Sequence, residues 1–95
     1  MFRVTIQDET ERTVFKIEGK LAQPWVRELQ DCWRKMIRPD GKPVLVDVRA
    51  VTFVTPEGKQ LLREIYRSGA QFLASGPMMS SIVEQITAEP VTKGD

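Results

Sequence analysis

The segment Val44-Leu45-Val46-Asp47-Val48-Arg49-Ala50-Val51-Thr52-Phe53-Val54-Thr55-Pro56-Glu57-Gly58 carries the main fold signal of the chain. Its first part, Val44 to Val48, is a nearly continuous β-branched run. Such a run predicts a strand buried on both faces, the mark of a parallel or mixed sheet beneath helices. Val51 to Val54 extends or follows that strand. The chemistry then changes within two residues. Thr55 is a good N-cap, and Pro56 suits the first helical position, where the missing N–H has no partner to lose. Leu61, Leu62, Ile65 and Tyr66 form an inward stripe at helical spacing, and Gly69 is a good C-terminal stop.

Toward the N-terminus, Phe2, Val4 and Ile6 alternate with Arg3, Thr5 and Gln7, which predicts a half-exposed strand with the first three inward. Asp8 to Glu11 is a polar turn. Arg12 to Glu18, carrying Val14, Phe15 and Ile17, completes a hairpin that Gly19 is expected to end. From Pro24, at the first helical position, Trp25, Val26, Leu29, Cys32, Trp33, Met36 and Ile37 recur on one face of a helix of about four turns. Pro39-Asp40-Gly41 stops it. Toward the C-terminus, Ala70 to Ala74 is a short strand centred on Phe72 and Leu73. Ser75-Gly76-Pro77 turns into a third helix bearing Met78, Met79, Ile82, Val83 and Ile86. The order is β-β-α-β-α-β-α, and each β-α-β step is expected to be a right-handed crossover. The fold class is α/β: one domain over residues 1–88, with a mixed, centrally parallel sheet, an N-terminal antiparallel hairpin and about three helices. Residues 89–95 are expected to form a flexible tail.

Bulk properties bound the function. Ninety-five residues make one domain, and 41% hydrophobic with 28% charged residues is a globular composition. A net charge of +1 lacks the basic excess of a nucleic-acid binder. Apolar runs of about five residues are too short to span a membrane, and the alternating start does not read as a signal peptide. One cysteine cannot form an internal disulfide, so a reducing cytoplasm is the simplest compartment. The chain has no His, which removes His-based triads and general acid–base work and nearly all zinc sites.

Individual constellations point the same way. Gly-Lys occurs at Gly19, Gly41 and Gly58, but a phosphate-binding loop needs another Gly five residues earlier. Val14, Met36 and Phe53 stand there, and no pair is followed by Ser or Thr. Asp8, Glu9 and Glu11 could hold a cation, but charged residues in a turn normally face water. Cys32 lies on the apolar stripe and reads as a buried structural cysteine. Arg34, Lys35, Arg38 and Lys42 form a basic patch that complements a helix C-terminus. Trp25 and Trp33 read as core, although a partly exposed Trp would mark a docking surface.

The strand ending in Asp47, the short apolar step and the turn into a helix closely resemble the STAS domain of bacterial anti-sigma-factor antagonists. Gly19-Lys20-Leu21 is similar to that family's Gly-x-Leu. Gly69, Phe72-Leu73 and Gly76-Pro77 are similar to its glycine, apolar strand and exit turn. The resemblance covers about residues 2–86. In that family an Asp-Ser-Ser-Gly sequence opens the second helix, and a partner kinase phosphorylates the second Ser to block docking. Here Thr55 stands for the Asp, Pro56 for the first Ser, Glu57 for the phosphorylated Ser and Gly58 for the Gly. Ala22 also departs, where an acidic residue is common. The frame is kept and the usual phosphoacceptor is replaced.

What the resemblance implies is a non-catalytic protein-binding regulator, without cofactor or metal. It would dock through Thr52, Thr55, Pro56, Glu57 and Gly58, with Arg49, Lys59 and Gln60 flanking. Glu57 is either a first-turn residue that suits the helix dipole or a fixed charge mimicking the phosphorylated state, with Thr55 or Thr52 as a residual switch. The implied partner is a kinase-type anti-sigma factor. The alternatives are the ATPase of an ABC-type transport complex, with the chain as accessory subunit, or a small ligand, with the chain as a sensor.

Overall fold

The computed structural model describes residues 2–36 and 41–87. Its elements follow the expected order: β1 (Phe2–Asp8), β2 (Thr13–Leu21), α1 (Trp25–Lys35), β3 (Val44–Val54), α2 (Pro56–Arg67), β4 (Gln71–Leu73) and α3 (Pro77–Thr87). The four strands form one sheet in the order β1-β2-β3-β4. β1 and β2 pair antiparallel, whereas β2-β3 and β3-β4 pair parallel, with α1 and α2 as the connections. The expected helix stop at Pro39-Asp40, together with Ile37, Arg38 and the tail, lies outside the described residues.

The core follows from strand periodicity. Phe15 and Ile17 of β2, and Val46 and Val48 of β3, are fully buried. They share one cluster with Leu29 of α1, Leu62 and Ile65 of α2, and Met79 and Ile86 of α3. Burying each such side chain contributes about 1.5–3 kcal/mol. The helices therefore cover the face of the sheet to which these residues point. Residues of opposite parity lie on the other face, where Arg3 reaches Glu18, Lys16 reaches Glu18, and Arg49 pairs with Asp47. Among the described residues, the β-branched run of β3 is thus not sandwiched between two helix layers. Val46 and Val48 meet helices, while Asp47 is shielded on the far face by its neighbours and by Arg49.

Several expectations change in three dimensions. Gly19 does not end β2. It adopts φ 100°, open to glycine, beside a register irregularity, and the strand continues to Leu21. Pro24 is the N-cap of α1 rather than its first helical residue, so the helix begins at Trp25, one position later than expected. Ile6 is 46% exposed because β1 is an edge strand of the described sheet. Tyr66 and Met78 are also largely exposed, Tyr66 lying against Phe72 at the margin of the core. Cys32 is half-buried against the core. Trp33 packs edge-on against Phe15, whereas Trp25 stacks on Phe2 with one side open. Lys42 does not join Arg34 and Lys35 at the end of α1. It bonds the Asp8 carboxylate and the Glu9 carbonyl (2.8 Å), so the acidic turn is tied to the loop before β3.

Asp47 is the one buried carboxylate among the described residues. Arg49 grips it through Nε to Oδ1 (3.1 Å), Nη2 to Oδ2 (2.9 Å) and its own backbone N–H to Oδ1 (3.0 Å). The Arg49 side-chain hydrogen bonds hold the Asp47 carboxyl below its ordinary pKa, against the opposing effect of burial. A depressed folded-state pKa contributes stability that is present above the unfolded value of about 3.9 and is lost as pH falls through the folded value. Arg49→Ala should therefore destabilise by about 1–3 kcal/mol at pH 7, since it leaves a buried charge under-bonded. Urea titrations of both proteins down the pH scale should show that gap closing as Asp47 protonates. A gap independent of pH would contradict the assignment.

Candidate functional site

The end of β3 delivers the chain into α2 through Thr55, whose backbone is extended (φ −79°, ψ 166°). Its Oγ1 accepts from the Gly58 N–H (3.2 Å) and donates to the Leu21 carbonyl (3.3 Å). The Thr55 N–H donates to the same carbonyl (3.0 Å). Both hydrogen-bonding capacities of the hydroxyl are thus engaged, one capping α2 and the other fixing it to the end of β2. Pro56 follows at the helix start, as its fixed φ and missing donor favour.

Gly58 is buried, and the reason is contact. A Cβ there would stand 2.9 Å from both the Leu21 carbonyl oxygen and Leu21 Cγ. The first turn of α2 therefore rests directly on Leu21. The Gly-Lys-Leu segment and the Thr-Pro-Glu-Gly segment, read separately in the sequence, are the two sides of one joint.

The remaining site residues are arranged around that joint. Pro56 and Glu57 are exposed on the first turn, and Thr52 is exposed near the end of β3. Glu57 has no hydrogen bond or ion pair among the described residues. Of the flanking residues, Lys59 donates to Gln85 Oε1 (2.9 Å) and ties α2 to α3, while Gln60 accepts from Arg63. Arg49 is on the helix-free sheet face with Asp47, not beside α2. Phe53 was not singled out by the sequence reading, yet it is 50% exposed two residues before Thr55. Its signal is the register: it pairs with exposed Lys20, while the next pair, Leu21 and Val54, turns inward.

Among the described residues no group of three or more His, Cys, Asp or Glu is placed to hold a metal ion, and no helix is long and apolar enough to cross a membrane.

The joint can be tested by stability. Thr55→Ala should cost about 0.5–2 kcal/mol, with Thr55→Ser recovering most of that loss. Gly→Ala in a helix ordinarily stabilises by up to about 1 kcal/mol. Gly58→Ala should instead destabilise by about 1–3 kcal/mol, because the added methyl meets backbone. Chemical denaturation reads both, and a stabilised Gly58→Ala protein would refute the contact.

No protein-family model and no curated protein matches the chain. Among solved structures it is similar to an anti-sigma factor antagonist from Mycobacterium paratuberculosis, with a TM-score of 0.75 and 18% identity over 93% of this chain and 79% of that one. It is also similar to part of the protein Mglu, with a TM-score of 0.59 and 16% identity over 77% of this chain and 19% of that one. At these identities the likeness is one of fold, and the fold is that of a STAS-like domain, a small α/β unit with a four-stranded mixed sheet and three helices.

Proposed function

We propose that this chain is a non-catalytic, protein-binding regulatory module of the anti-sigma-factor-antagonist kind, acting in the cytoplasm. Its working unit is residues 1–88. The observation that carries the reading is the first turn of α2. It is held rigidly from beneath by Leu21 and Thr55, yet it presents Pro56 and unpaired Glu57 to solvent, with Thr52 close in the chain. Preorganised, exposed elements lose little freedom on docking. The fold likeness to an anti-sigma factor antagonist supports the same reading.

On this reading the module docks without the serine phosphoswitch. Glu57 occupies the position of the phosphoacceptor and cannot be phosphorylated. Modifying Thr55 would break both the cap and the bond to Leu21. Thr52, exposed on β3, is the hydroxyl at this surface left open to a kinase. A constitutive accessory subunit of a transport ATPase is the second reading, and the fixed charge of Glu57 favours it, since such a subunit needs no switch.

Affinity purification from the host with mild crosslinking separates the two. A kinase-type anti-sigma factor among the captured proteins supports the first, and a transporter ATPase supports the second. In either case Glu57→Ser should change partner affinity at least several-fold, measured by titration calorimetry with the captured partner. Equal affinities would remove Glu57 from the interface.

A further inference from the structure

Among the described residues, the parallel strands of this sheet have one face without a helix. Parallel sheets are ordinarily covered on both faces, because their strands are apolar on both. Here α1, α2 and α3 all pack on the face of Phe15, Ile17, Val46 and Val48. The opposite face is laid out by register. Arg3 stands opposite Glu18, Lys16 opposite Asp47, and Lys20 opposite Phe53. Leu73 lies beside Asp47 on β4.

The charges on this face are layered. Its carboxylates are sunk, the Glu18 side chain being 28% exposed and Asp47 only 6%. Its cations stand above them, with Arg3 71%, Lys16 43% and Arg49 53% exposed. Lys20 is exposed and makes no hydrogen bond or ion pair among the described residues. Four cations therefore lie over two recessed carboxylates, so an approaching molecule meets positive charge first. Phe53, 50% exposed, and Leu73, 36% exposed, give the same face apolar footholds.

We infer that the helix-free sheet face is a docking surface for an acidic polypeptide segment carrying apolar side chains. Recessed carboxylates hold the cations in place, while the outward field attracts and orients an anionic partner. A single-stranded nucleic acid fits less well. Such ligands stack successive bases on several aromatic rings, and Phe53 is the one aromatic ring on this face among the described residues, since Phe2, Phe15 and Phe72 pack toward the core. This surface does not rest on the docking reading of α2 and can stand or fall without it.

The test uses the full chain, isotope-labelled, titrated with three probes: a fluorescent Glu/Leu peptide, its Lys/Leu counterpart and a ten-nucleotide single-stranded DNA. The Glu/Leu peptide should bind saturably and weaken as salt rises from low to high ionic strength. Amide shifts should concentrate at Thr5, Lys16, Lys20, Arg49 and Phe53. Lys16→Glu combined with Lys20→Glu should lower the affinity about tenfold or more. Lys20→Glu alone, at an exposed position without a partner, should lower it in the same direction and guards against misfolding of the double variant. Absence of saturable binding, equal binding of the Lys/Leu peptide, shifts confined to other surfaces or preference for the DNA would each overturn the inference.

Discussion

The fold turns on Leu21. Its side chain is fully buried, and its carbonyl receives two bonds from Thr55. The same residue sets the floor on which Gly58 rests. Through this contact the last residue of β2 fixes where β3 ends and where α2 begins. A joint made of backbone carbonyl, side-chain hydroxyl and a missing Cβ leaves little room for adjustment, since close-packed interiors transmit strain rather than absorb it. The exposed first turn of α2 is therefore a rigid feature, although its outer residues Pro56 and Glu57 face solvent.

The chemistry at that turn is particular to this chain. An Asp at the cap could accept from the Gly58 N–H but could not donate to the Leu21 carbonyl. A threonine hydroxyl does both. The cap is therefore neutral here, and negative charge enters one residue after Pro56, at Glu57, where the helix dipole favours it. The site carries a fixed single charge, in contrast to the two-state charge that a phosphorylated serine would give.

On the helix-free face, Asp47 is buried beneath Arg49, and partly exposed Glu18 lies near Arg3 and Lys16. At the other end of the strands, Lys42 binds Asp8 and Glu9 and closes the hairpin turn onto the loop preceding β3. That contact absorbs two features that looked independent in the sequence, an acidic turn and a member of a basic patch.

The order of elements, the hairpin, the parallel centre of the sheet and the start of α2 are legible in the amino-acid pattern. These rest on local rules: alternation, helical spacing, Thr55 as cap, Pro56 at the helix start and Gly69 at its end, all acting within about four residues. That the helices share one face, that Gly58 is a packing residue, that Phe53 points outward and that Lys42 meets Asp8 emerge only from three-dimensional packing. The physical reason is separation along the chain. Leu21 and Thr55 are 34 residues apart, as are Asp8 and Lys42. Two irregularities in the β2–β3 register reset which side chains of β3 face outward. No local pattern carries that information, because it exists only once two distant strands lie side by side.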